Sequence, residues 1–203
     1  MLWLIRHAEV ERRYQGIFGG QIDMDLSPRG HEQAAALAAY LHHHRFEALY
    51  ASPMKRVQQT LAPARLNGIP TPTILPGLKE VDFGEWTGLS WDQVQEKFGV
   101  GATSWLTQLE AGTIAGAESA AALQARLEPC LRQILAGHPG QRVAVVCHGG
   151  VIRMLLAMLL GWPLSRLAAF EVEYASITQV VWRGQEARLH LLNFAPWRDC
   201  GNG

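Results

Sequence analysis

Cysteine is scarce in this chain, with three among 203 residues. Cys130, Cys147 and Cys200 are unevenly spaced and form no CxxC pair, so a reduced compartment suits them. Net charge is missing as well. Eighteen basic and eighteen acidic residues cancel, so no global field draws the protein to nucleic acid or to a membrane surface, and any anion site must be local. No apolar run is long enough to span a bilayer: the longest, Val151 to Trp162, is broken by Arg153 and too short. Met1 to Ile5 is likewise too short for the apolar core of a secretory signal and has no basic residue before it. These absences lead to the expectation of a cytoplasmic protein. No internal repeat, low-complexity tract or linker interrupts the chain. Its 48% hydrophobic and 18% charged residues fit a globular protein. It reads as one domain over 1–203, with residues 80–117 as an insertion or lid over the strand ends.

What is present is organised around Leu2-Trp3-Leu4-Ile5-Arg6-His7. Four apolar residues stop at an arginine and a histidine, which predicts a short buried strand with functional groups at its C-terminal end. In open α/β sheets that edge is where ligands bind. The pattern recurs at Val143–Cys147, followed by His148-Gly149-Gly150 and a helix through Leu160. Further strands are expected at Ala48–Ala51, Thr73–Leu75, Ile177–Trp182 and Arg188–Leu192. Ser27-Pro28 and Ser52-Pro53 each read as a helix cap followed by proline in the first turn, the second helix running to about Leu66. Ser119 to Ala136 reads as a long amphipathic helix.

Some residues invite a chemical reading that position argues against. Cys147 precedes His148 but closes an apolar strand, and is read as a small core residue rather than a nucleophile. His42, His43 and His44 point in successive directions from a helix end, so a solvated terminus is expected rather than a metal site.

Parallel neighbours would bring His7 and His148 to one sheet edge. Arg6 and Arg56 could then grip phosphoryl oxygens, with His148 and the amides opening the next helix donating to the same group. His7 would face the phosphorus as a nucleophile. A carboxyl from the loop Leu78–Gly88, either Glu80 or Glu85, could protonate the leaving oxygen. Trp86, Trp91 and Trp105 either anchor the insertion or form an apolar lid over the site.

The anchors Leu4-Ile5-Arg6-His7, Asp25-Leu26-Ser27, Ser52-Pro53-x-x-Arg56-x-x-x-Thr60, the Glu80–Gly88 loop and Val146-Cys147-His148-Gly149 resemble, in this order and spacing, the histidine phosphatase superfamily, also called phosphoglycerate mutase-like. The resemblance runs from Leu2 to about Asn193. It implies an α/β three-layer sandwich, with a mostly parallel central sheet flanked by helices. It implies that His7 is the phosphohistidine nucleophile, that Arg6, Arg56 and His148 form the phosphate pocket with Gly149 and Gly19 beside it, and that Glu80 is the proton donor. No metal or cofactor is implied. Two departures stand out. Ala8 occupies the usual glycine position, and Arg13 stands where asparagine is frequent, either as a further phosphate donor or turned to solvent.

Within the superfamily, Leu2–His7, Leu159-Leu160-Gly161-Trp162-Pro163 and the Phe170 and Leu189–Asn193 regions are similar to the α-ribazole phosphatases of cobalamin assembly. The expected activity is hydrolysis of a small phosphorylated metabolite, with α-ribazole 5′-phosphate as the leading substrate. The alternatives are phosphoglycerate mutase, metal-independent phosphoserine phosphatase and a silent phosphate-binding module. The lid segment Trp86–Gly116 offers only Lys97 as a cation, which favours an aromatic nucleoside 5′-phosphate over 3-phosphoglycerate. No nucleic-acid or membrane partner is expected, and the sequence leaves a homodimer open.

Overall fold

Alternating apolar side chains on both faces of short strands build the centre. In the computed structural model, which describes residues 1–64, 69–101, 104–183 and 186–200, six strands form one sheet. They are β1 (Leu2–Arg6), β2 (Ala48–Ala51), β3 (Thr73–Ile74), β4 (Val143–Cys147), β5 (Ile177–Arg183) and β6 (Glu186–Phe194), in the order β3-β2-β4-β1-β5-β6. The first four in that order are parallel neighbours, and β5 and β6 close one side as an antiparallel pair. The expected α/β architecture with a mostly parallel sheet is the one observed.

Successive residues of a strand face opposite sides, and both sides are apolar. Leu2, Leu4, Val143, Val145 and Cys147 enter one core, while Trp3, Ile5, Ala144 and Val146 enter the other. The first is covered by α3 (Trp91–Phe98), α4 (Trp105–Ala111), α5 (Ala120–Gly137) and α6 (Gly149–Leu160). The second is covered by α1 (Pro28–His42), α2 (Lys55–Leu61) and the short α7 (Pro196–Asp199). Leu4 and Ile5 are completely buried, each contributing about 1.5–3 kcal/mol by leaving water. Cys147 belongs to this core, and burial pushes its thiol pKa up, as its reading as a packing residue requires.

Register positions the site. Arg6 lies opposite Cys147, and the His7 amide donates to the Cys147 carbonyl at 3.0 Å. The next residues of both strands, His7 and His148, therefore emerge side by side at one sheet edge. Ala51 lies opposite Val146, so β2 ends at the same edge and delivers Ser52.

Two local expectations need correction. Ser27 does cap α1, accepting from the Gly30 amide at 2.9 Å. Ser52 does not cap α2. That helix starts at Lys55 with Met54 as its uncapped N-terminal residue, and the Ser52 hydroxyl is engaged elsewhere. The helix is assigned to Leu61, and Leu66 lies outside the described residues. The histidine run is not uniformly solvated either. His42 and His43 are exposed, but His44 packs on Trp3 with ring centroids 4.7 Å apart. β3 is one residue shorter than expected, and β6 longer, because the hairpin with β5 extends its pairing to Glu186 and Phe194. Among the described residues no helix is long and apolar enough to cross a membrane.

Candidate active site

His7 follows β1 directly and is buried, with 5% of its surface exposed. Its Nδ1 lies 2.8 Å from the Ala8 carbonyl, an acceptor only, so this nitrogen carries the proton. Nε2 is then left with a lone pair, which receives Arg56 Nε–H at 3.2 Å. The same N–H reaches His148 Nδ1 at 3.2 Å, so His148 carries its proton on Nε2, 2.8 Å from the Ser52 hydroxyl. One guanidinium N–H therefore meets the lone pairs of both rings and fixes the His148 tautomer; the rings stand 5.2 Å apart. Burial, then the charges of Arg56 and of other cations including Arg6, hold both histidines well below the ordinary imidazole pKa. His7 is neutral at neutral pH, the state a nucleophile needs.

Arg56 is only 2% exposed. Its terminal nitrogens donate to the carbonyls of Ile22 and Gly20, both at 2.9 Å, which orients the guanidinium. Burial lowers its pKa to about 10, and Glu80 counters this, so it stays cationic at neutral pH. Thr60 ties the helix to the nucleophile loop, accepting the Ala8 amide at 2.9 Å and donating to the Arg56 carbonyl at 2.7 Å. Ala8 is fully buried in that arrangement.

Arg6 donates through Nη1 to the Val172 carbonyl at 2.6 Å and lies over the Tyr174 ring at 4.0 Å. Among the described residues its Nε is buried without a partner, a donor left for a ligand. Glu80 sits across the pocket. Its carboxylate accepts the Val81 amide at 3.0 Å and the Gly150 amide, in the first turn of α6, at 3.3 Å. Arg126 of α5, ion-paired to Glu118, donates to the carbonyls of Lys79 and Glu80 and fixes that loop.

A Cβ at Gly150 would lie 2.7 Å from Glu80 Oε1 and 2.8 Å from Val81 Cγ2. Gly150→Ala should therefore displace the carboxyl and lower kcat about tenfold to a hundredfold on alkyl phosphates. Urea unfolding would measure the accompanying stability loss separately. Unchanged kcat would show that the Glu80 position is not critical.

These groups line a pocket of about 770 Å³ including its open mouth. Arg6, His7, Gly19, Arg56, Glu80 and Gly149 border it, and buried His148 is bonded to Ser52 and Arg56. Glu85 is exposed and absent from the wall, so of the two candidate acids only Glu80 faces the cavity. Arg13 is also absent: its side chain is 68% exposed and paired with Glu11 at 2.8 Å. The tryptophans take different places. Trp86 is buried against Phe18, whereas Trp91 and Trp105 line the pocket with Phe18 and Phe83. Asp25, one of the sequence anchors, is structural, bonded to Lys55 and Gln59 of α2.

Sequence reasoning missed several wall residues, among them Phe18, Arg153 of α6, and Glu171, Val172 and Tyr174 from the segment before β5. Arg153 donates to the carbonyls of Gly149, Leu167 and Phe170 at 3.1–3.3 Å. Burial lowers its pKa to about 10. Its spacing of four residues from Gly149 was a readable signal that it lies one helical turn above the site.

The family model described as the histidine phosphatase superfamily (branch 1) matches residues 2–195. The chain belongs to that superfamily. Phosphoserine phosphatase 1 of Hydrogenobacter thermophilus is 33% identical over 183 residues, covering 88% of this chain and 85% of the relative. The adenosylcobalamin/α-ribazole phosphatase of Salmonella typhimurium is 30% identical over 199 residues, covering 97% and 98%. Among solved structures, a mycobacterial glucosyl-3-phosphoglycerate phosphatase in complex with VO3 superposes with a TM-score of 0.82 at 27% identity, covering 95% and 98%. This histidine phosphatase is thus a phosphatase enzyme, and the differing names of its relatives leave its substrate to be argued from the pocket.

Proposed function

We propose that this histidine phosphatase hydrolyses a small phosphomonoester through a phosphohistidine on His7 Nε2. The observation that carries this reading is the tautomer lock, with Nδ1–H tied to the Ala8 carbonyl and the Nε2 lone pair turned to the cationic Arg56. In the first step Nε2 attacks phosphorus, and the bond from phosphorus to the alcohol oxygen breaks. Glu80, as the acid, gives that oxygen its proton. In the second step the Glu80 carboxylate takes a proton from water, whose oxygen attacks phosphorus. The P–N bond breaks, releasing inorganic phosphate and neutral His7. Arg6 and Arg56 would hold the phosphoryl oxygens throughout. Such fixed charge is the main contribution proteins make to phosphoryl transfer.

For the alcohol portion, the aromatic rings of Phe18, Phe83, Trp91 and Trp105 on the pocket wall favour a flat apolar group, as in α-ribazole 5′-phosphate. Residues 80–117, which contribute three of those rings, act in this reading as the lid. A second reading is a phosphorylated carboxylic acid such as phosphoserine, and Arg153 favours it by adding a pocket cation from outside the lid.

The test is direct. The enzyme is mixed with α-ribazole 5′-phosphate, O-phosphoserine and 3-phosphoglycerate under matched conditions with a chelator present, and samples are quenched in base. A base-stable, acid-labile phosphoenzyme is expected, with the highest kcat/KM on α-ribazole 5′-phosphate. Activity lost to the chelator and restored by a divalent ion would overturn the mechanism. A preference for phosphoserine would select the second reading.

Glu80→Gln supplies a separate check. It should slow alkyl phosphates about 10²–10⁴-fold and aryl phosphates much less, because aryloxide leaves without a proton. Equal losses on both would reassign Glu80 to binding.

A further inference from the structure

Beyond the phosphate grip and the aromatic wall, the pocket contains a guanidinium and a carboxylate that the reaction above does not use. Glu171 is exposed at the wall and has no hydrogen-bond or ion-pair partner among the described residues. It directly precedes Val172, whose carbonyl holds Arg6. Its charge acts on the Arg153 guanidinium, which sets the two groups near each other on the wall.

Arg153 flanks the same region. The Cβ position that Gly149 leaves empty is 3.4 Å from Arg153 Nη1 and 3.6 Å from Arg6 Nε. Each terminal nitrogen of Arg153 spends one hydrogen on a backbone carbonyl, of Gly149 or of Phe170, and keeps a second. Arg153 also stands over Trp105, 5.9 Å from the ring centroid. A carboxylate acceptor, a guanidinium donor and a neighbouring indole face are therefore gathered on one side of the pocket.

We propose that Glu171 and Arg153 recognise adjacent hydroxyls of a sugar carried by the substrate, with Glu171 accepting from the hydroxyls and Arg153 donating to them. This deepens the reading of the substrate as a ribosyl 5′-phosphate and rests on it. Chemistry separates this from the two simpler partners. An ammonium seated on Glu171 would also meet the Arg153 guanidinium, and the pocket already carries three arginines against two carboxylates. A carboxylate seated on Arg153 would meet Glu171. A zwitterionic amino-acid head also complements the pair, with its ammonium on Glu171 and its carboxylate on Arg153. Adjacent hydroxyls satisfy both groups as well, because each can donate and accept, and the aromatic wall beside them suits the base of a ribosyl phosphate. Acidic residues bind ribose hydroxyls in the same manner in dinucleotide sites.

The experiment compares kcat/KM for α-ribazole 5′-phosphate with that for its 2′,3′-dideoxy analogue, in the wild-type enzyme and in Glu171→Gln. The wild type should prefer the hydroxylated substrate by about 10–100-fold, the range of a charge-assisted hydrogen bond. Glu171→Gln should reduce that preference severalfold or more, chiefly through KM. Arg153→Lys, which keeps a charge but loses the planar fork, should reduce it less. The same preference in Glu171→Gln as in the wild type, or none in the wild type, would overturn the proposal. So would a Glu171→Gln enzyme that loses selectivity for O-phosphoserine while keeping the hydroxyl preference, since Glu171 would then be an ammonium site. If neither nucleotide has a kcat/KM above that of a plain alkyl phosphate such as glycerol 1-phosphate, the ribosyl-phosphate reading itself falls, and this proposal falls with it.

Discussion

A His7→Ala enzyme should fold and bind phosphate but turn over almost nothing, with kcat lowered by about 10⁴-fold or more, as for loss of other covalent nucleophiles. The fold should survive because the imidazole contributes little to packing relative to Leu4 and Ile5 on the same strand. Arg56 keeps its two carbonyl acceptors when the ring is gone. Neither buried neighbour is placed to replace it: Cys147 belongs to the core and its thiol pKa is raised, while His148 is held on Ser52. Steady-state phosphate release and circular dichroism on the same preparation would check this. A folded His7→Ala enzyme within tenfold of wild type would end the phosphohistidine reading.

Arg56→Ala should lower kcat/KM about 10²–10³-fold, comparable to removing a preorganised donor from a developing charge. The guanidinium has three simultaneous duties. It would grip phosphate, its N–H fixes the His148 tautomer and meets the His7 lone pair, and its terminal nitrogens hold the loop at Gly20 and Ile22. Arg56→Lys keeps the charge without the fork and should also be impaired. The pH profile separates the electrostatic part. After burial, the Arg56 charge is the largest influence lowering the His7 pKa. In the wild type the acid limb assigned to His7 should therefore lie below pH 6.5, with the neutral ring persisting into mildly acidic solution. Removing the charge should move that limb upward in the residual activity of Arg56→Ala. An unmoved limb would detach His7 titration from Arg56, and wild-type turnover would reduce Arg56 to a structural role.

Much of this site was readable because its reacting groups follow strands directly. An apolar run ending in Arg6-His7, and another ending in His148, mark both the element and its C-terminal edge, and the two together with Arg56 point to one anion site. Glu80 and Glu85 could not be separated in the same way. Both lie in an aperiodic loop, and the choice depends on Arg126 and the Gly150 amide, which are distant in sequence. Ser52 was misread because a serine before proline caps helices by local chemistry, whereas here the facing His148 ring takes the hydroxyl. Arg13 pairs with a carboxylate two residues away and leaves the pocket, a competition that spacing alone does not decide. Arg153 and Glu171 were hidden for opposite reasons. The first sits in a strongly apolar helix, where it looked only like an interruption. The second lies in a segment without pattern, brought to the wall by the antiparallel return of β5.

The sheet order gives β4 a particular place in the history of each molecule. Both β1 and β2 take β4 as a parallel partner, with Leu2 and Ala48 each opposite Val143. During synthesis the strand bearing the nucleophile emerges first, yet its parallel neighbour is made some 140 residues later. Until then an apolar strand edge has no lasting mate, a slow and aggregation-exposed condition typical of long-range parallel pairing. Completion of β4 joins the two waiting strands at one time. The two histidines thus become neighbours late, so that a nascent or truncated chain ending before Cys147 carries the nucleophile without the setting that makes it reactive.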